Sequence, residues 1–329
     1  VIIAAGRWPR IVDAGMQQRR TRRAKPQRAR LVRRWCNRCM VAALPPLFVS
    51  HGSPMTALEP GASGAFWQRL GMAIDAAFGR PRAIVAVSAH TLSAQPLLLA
   101  AARHAAVHDF GGFPAPLYRL RYDAPGAPAL APRVQALLAQ AGIAPATRDA
   151  GGLDHGIWVP LRFVYPAADV PVLPLGWNPA LAPAALHALG AALAPLADEG
   201  VLVLGTGSIT HNLRLLGDFS GRGPAVQPER ADSAAFRDWF ATRSAARDWD
   251  ALLAYRERAP HAALMHPSDE HLLPWYVAAG AGGRAHAPQR LHADVCYGAL
   301  GMDAYAFGPQ AAALAAALAA TPAAHTDGH

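Results

Sequence analysis

From about residue 41 onward the chain alternates short apolar runs with longer segments of helical spacing. Residues 47–50, 83–89, 96–100, 170–175 and 201–205 have the length and branched content of buried strands. Residues 64–78, 127–141, 180–196 and 231–242 place apolar side chains at helical intervals, and an Ala-rich helix is expected over 311–319. Gly111-Gly112, Pro125-Gly126 and Gly151-Gly152 punctuate the series. This alternation predicts a single α/β domain with a mainly parallel or mixed central sheet and helices on both faces.

Four histidines stand where an apolar run stops or a Pro-flanked turn begins: His51, His90, His211 and His271. In an open α/β sheet ligands bind beyond the carboxyl ends of the strands, so strand-end side chains converge there. Imidazole is the commonest protein ligand for a first-row metal and also moves protons near neutral pH. One such histidine alone reads as a packing residue; recurrence on successive strands points to a metal centre with an acid/base beside it. His104, His187, His261, His286, His292, His325 and His329 lack that setting and read as surface or packing residues.

Composition narrows the picture. Hydrophobic residues make up 52% of the 329, enough for a substantial core. The net charge of +9 misleads as an average: residues 1–40 carry +11, leaving −2 for the rest. The body therefore has no basic surface for nucleic acid. Residues 1–39 are aperiodic and Arg-rich, and are expected to be a disordered basic extension preceding a catalytic domain at 45–307, with 308–329 forming a last helix and frayed tail. Cys36 and Cys39 form a lone C-x-x-C that three cysteines in all cannot complete into a four-Cys zinc site. No stretch is long and apolar enough to predict a membrane span, and the cysteine usage suggests a reducing, cytoplasmic setting.

Chemistry-bearing motifs follow in order. His51-Gly52-Ser53-Pro54 and Ser88-Ala89-His90 end the first two long strands; His108-Asp109-Phe110-Gly111-Gly112-Phe113-Pro114 suits a loop covering a planar ligand. Asp154-His155-Gly156, Thr210-His211-Asn212-Leu213 and Glu270-His271-Leu272-Leu273-Pro274 complete the set. Residues 266–274 are expected to open an apolar helix with Glu270 and His271 in its first turn, where only one of the two could face a metal. The macrodipole accounts for Glu270 there, which leaves His271 as the expected ligand. Ser53 and Ser208 sit in no G-x-S-x-G elbow, and Gly205-Thr206-Gly207 is not a phosphate loop. On residues alone three readings stay open: a metal-dependent oxygenase, a zinc-dependent hydrolase, and a non-enzymatic metal-binding protein.

These six motifs, in this order and spacing, resemble the class III extradiol ring-cleavage dioxygenases, most of all the 4,5-DOPA extradiol dioxygenase branch, over about residues 45–307. The resemblance implies a non-haem Fe(II) centre, with Zn²⁺ possible in the same site, and a catechol and O₂ as substrates. It implies His51, His90 and His271 as metal ligands, His211 as a fourth ligand or acid/base, and His155 as the residue that binds or deprotonates the catechol. The branch usually has Trp where this chain has Thr91, which alters one pocket wall. Related protocatechuate-type enzymes use a carboxylate as third ligand, and Glu270 adjoins His271.

Overall fold

Branched residues alternate along the central strands so that both faces are apolar, and the chain covers each face with helices. A computed structural model describes residues 43–216 and 226–322. The expectations for 1–39, for Cys36 and Cys39 and for the end of the tail fall outside these residues. Eight strands form one sheet: β1 (Leu47–Ser50), β2 (Ala83–Ser88), β3 (Leu97–Leu99), β4 (Ala146–Arg148), β5 (Val172–Gly176), β6 (Val201–Gly207), β7 (Gln289–His292) and β8 (Ala304–Ala306). Their order is β4-β3-β5-β2-β6-β1-β8-β7. The middle four, β5-β2-β6-β1, are parallel, while β3 joins β5, and β8 joins β1 and β7, antiparallel. The sheet is mixed with a parallel centre.

On one face Val85, Val87 and Val203 pack with α2 (Ala131–Gln140), α4 (Pro183–Leu193), α5 (Ala231–Ala246) and α6 (Leu273–Gly282). On the other, Ile84, Ala86, Leu202 and Leu204 pack with α1 (Gly61–Phe78), α3 (His155–Val164) and α7 (Ala311–Ala320). Complete burial of one such Val or Ile side chain stabilises the fold by about 1.5–3 kcal/mol. Two apolar layers of this kind cover the sheet on both faces.

Because β2, β6 and β1 are adjacent and parallel, their carboxyl ends share one edge of the sheet. His51 follows β1 directly, its N–H donating to Gly207 O at 3.0 Å, and His90 follows β2 after one alanine. At the end of β6 a glycine is required: a Cβ on Gly207 would stand 1.9 Å from His271 O. That open flank lets the segment ahead of α6 approach, with Ser208 N–H donating to His271 O at 2.8 Å.

Two sequence expectations need correction. The helix after His266 starts later, at Leu273, because Pro274 in its first turn sets φ for helix entry and lacks the N–H an interior position would need. Asp269, Glu270 and His271 therefore lie in the turn before α6, so the argument that only one of the last two can face the site does not hold. Second, α3 was hidden by Pro160 inside an apolar run, and the short strands β4, β7 and β8 carry no strong alternation.

Candidate metal centre and active site

Five histidines from five segments of chain meet at this sheet edge. The Nε2 atoms of His51 and His90 stand 3.1 Å apart. Ring centres of His51, His90 and His271 lie 5.0, 4.9 and 5.4 Å from one another, with no two planes parallel. His155 lies 4.0 Å from His90, and His211 stacks on His271 at 3.4 Å. All four of the sequence-expected metal residues and both expected acid/base residues are thus in one cluster.

The partners of each ring fix which nitrogen is free. Thr206 Oγ1 donates its one hydrogen to Gly156 O at 2.7 Å, so its oxygen accepts Nδ1–H of His51 at 3.0 Å. His51 Nε2 is then a bare lone pair. His271 Nδ1–H donates to Glu270 Oε1 at 3.0 Å, which leaves its Nε2 free as well. His90 turns Nδ1 toward Asp109 Oδ2, 3.7 Å away, and Nε2 toward His51. The two Nε2 atoms face each other at 3.1 Å, where a proton on His90 can bridge them or a cation can take both lone pairs.

Burial, and then repulsion among the rings, pushes His51 and His271 well below the ordinary imidazole value; burial and His155 do the same to His90. Burial also brings His211 down to about 4. The donors are therefore neutral at physiological pH, as metal ligation requires.

Does this set fit one ion? Three imidazoles bound tetrahedrally with metal–nitrogen bonds of about 2.1 Å have ring centres about 5.2 Å apart. The trio His51, His90 and His271 matches that spacing on all three sides. Nearest-atom distances alone select other groups: His51, His90 and His155, or His211, Glu270 and His271, each with donor atoms within 4.8 Å. Proximity does not test whether lone pairs converge, and the 4.0 and 3.4 Å ring spacings in those groups are too short for equal tetrahedral spokes. By ring spacing the trio is compatible with a single cation with open positions.

Beside it, Asp109 Oδ1 accepts both N–H and Nδ1–H of His155, each at 3.0 Å. His155 and His90 hold the Asp109 carboxyl well below the usual carboxylate range despite its burial, so it stays ionised. This makes an oriented imidazole whose Nε2 can take a proton. Phe110 meets His155 edge-on at 5.6 Å and Tyr118 at 5.4 Å, so the loop foreseen as a ligand cover supplies an aromatic wall. The Ser53 hydroxyl accepts Met55 N–H, and the Ser208 hydroxyl shares its hydrogen between the carbonyls of Thr210 and Gly301.

Sequence reasoning missed Asp109 and Thr206 as partners of site histidines. Asp109 carried a signal, a polar pair ahead of a glycine hinge; Thr206 carried none, since its role depends on α3 lying beside β6.

The family profile for the catalytic LigB subunit of aromatic ring-opening dioxygenase matches residues 45–308. A 4,5-DOPA dioxygenase extradiol of Beta vulgaris is 38% identical over 262 residues, 79% of this chain and 95% of that one. Its namesake in Escherichia coli (strain K12) is 44% identical over 172 residues, 52% of this chain and 61% of its own. The crystal structure of an uncharacterized Escherichia coli K12 protein matches with a TM-score of 0.66 at 30% identity, covering 80% of this chain and 100% of that one. With its family profile, its α/β sheet and its edge of clustered histidines, the chain belongs to the LigB family and is an extradiol ring-cleaving dioxygenase.

Proposed function

We propose that the substrate is a catechol of the DOPA type, that the ion is Fe(II), and that His51, His90 and His271 hold it. The observation that carries this reading is the equal spacing of those three neutral rings, with Thr206 and Glu270 fixing the tautomers of His51 and His271. When bound, ferrous iron supplies open positions and redox activity toward dioxygen, whereas zinc supplies positions alone.

The protein's own part is proton management and orientation. His155 Nε2 takes a proton from the catechol hydroxyl as it binds, while Asp109 holds Nδ1–H and stabilises the imidazolium that forms. Phe110, edge-on to His155 and backed by Tyr118, supplies an apolar wall against which the catechol ring would pack. His211, neutral and stacked on His271, stands ready to hold and return a proton during ring opening. Its parallel stacking on His271 favours this role over a fourth ligand.

Protein loaded with Fe(II) without oxygen, then given air and a panel of catechols, is expected to form yellow ring-opened products. No turnover of any catechol at one iron per chain would contradict the reading. A cytoplasmic setting fits the same account, with Cys296 an unpaired thiol that burial pushes up to about 11. Among the described residues no helix is long and apolar enough to cross a membrane.

A further inference from the structure

One buried carboxylate near the site has no part in the reaction above. Asp154 precedes α3, a place where aspartate usually caps the helix amides, yet its side chain makes no capping bond. Its oxygens point instead at the loop after β2. Ser88 Oγ donates to Oδ1 at 2.7 Å, and Thr91 Oγ1 donates to Oδ2. Ser88 Oγ also accepts N–H of His90 at 3.2 Å. The two donors bracket His90 in sequence, so both ends of the short loop that presents this ring are tied to one group.

The carboxylate belongs to the residue beside His155, and the next residue, Gly156, accepts the Thr206 hydroxyl that orients His51. A Cβ on Gly156 would stand 2.6 Å from Ser88 Oγ and 3.0 Å from both Asp154 Oδ1 and His51 Nδ1. Three consecutive residues at the start of α3 thus contact the supports of His90, His155 and His51. Ser88 is fully buried, so no water can replace Asp154 as acceptor for its hydroxyl.

We infer that Asp154 is a positioning residue, which through Ser88 and Thr91 holds the His90 ring where it can share a cation with His51. It touches no reacting atom. The inference rests on the reading that His90 is a ligand. Thr91 is its most specific probe, because valine keeps the shape and removes only the donor, whereas serine keeps the donor.

Binding of Co²⁺ is measured by chelator competition, together with the visible spectrum of the bound ion, which reports ligand geometry rather than stability. Thr91→Val is expected to weaken Co²⁺ binding about tenfold or more and to change the spectrum, as loss of an outer-shell partner does. Thr91→Ser is expected to retain wild-type affinity and spectrum, and Ser88→Ala, which removes the other donor, to repeat the loss. Wild-type affinity and spectrum in Thr91→Val and Ser88→Ala, or equal losses in Thr91→Ser and Thr91→Val, would overturn the inference. A His90→Ala control separates the two levels. If it keeps wild-type affinity, the ligand reading falls and the inference with it; if it releases the ion while Thr91→Val holds it, only the inference falls.

Discussion

His211 and His271 stack face to face, with ring centres 3.4 Å apart and planes 7° from parallel. An imidazole lone pair lies in the ring plane, so two parallel rings at this distance cannot both aim at one ion. Of the two, His271 has the carboxylate partner that orients a ligand, and its spacing to His51 and His90 matches a shared cation. His271→Ala is therefore expected to abolish metal retention through dialysis. His211→Ala is expected to keep the ion and lose turnover by about 10²–10⁴-fold, the range for a general acid/base. Metal analysis and kcat on the two variants check this, and metal loss in His211→Ala with retention in His271→Ala would reverse the assignment.

Glu270 accepts Nδ1–H of His271 and also the hydroxyl of Ser268 at 3.1 Å. On the proposed ligand set, its part is to hold the tautomer of His271. A carboxamide oxygen can still accept both hydrogens, so Glu270→Gln is expected to keep most of the metal affinity. Glu270→Ala removes the acceptor and is expected to cost about 10–100-fold. Titration with a chelator distinguishes the pair. If Glu270→Gln alone releases the ion, the carboxylate is itself a ligand.

Asp109 is the corresponding partner of His155, and it also faces His90. Asp109→Asn retains an acceptor but loses the negative charge that stabilises imidazolium at His155. The expected result is a fall in kcat of about 10-fold or more with a smaller change in KM, because the interaction strengthens only as the proton moves. A variant with unchanged kcat and raised KM would place Asp109 in substrate binding instead.

Much of this was legible in the chain beforehand, for definite reasons. The runs that became β1, β2 and β6 are buried on both faces, so their composition alone marks them, and a histidine at the end of each is visible as soon as the run is. Partnerships were not legible. His51 and Thr206 are separated by 155 positions, and Asp109 and His155 by 46, so each depends on which elements lie side by side. The turn ahead of α6 was misread because acids followed by leucines look like a helix start; Pro274 delays the helix and lets Glu270 and His271 turn toward each other. Strand β7 escaped because Gln289, Arg290 and His292 give a sheet edge no apolar alternation.

Acid sensitivity of the metal-free fold follows from its buried neutral histidines, those of the cluster and two outside it. Burial, with Arg284 adding to it, brings His187 down to about 4, and burial does the same to His266, whose Nε2–H donates to Ile209 O at 2.8 Å. In the unfolded chain each titrates near about 6.5. Between these values the unfolded chain binds protons that the folded chain does not, so stability is lost as pH falls from about 6.5 toward 4 and is fully present above that window. Urea midpoints of the metal-free protein should decline across this interval, and less steeply in His187→Gln. A midpoint that rises on acidification would contradict the assignment of these rings as neutral.

Three histidines at the sheet edge are proposed to form a centre for oxygen-dependent ring cleavage. The most direct test is oxygen consumption by one preparation loaded in parallel with Fe(II) or Zn²⁺ and given the same catechol. One O₂ consumed per ring opened is expected with iron and none with zinc, which is redox-inert. Turnover by the zinc form without oxygen uptake, or an iron form that binds catechol yet consumes no oxygen, would contradict the proposal.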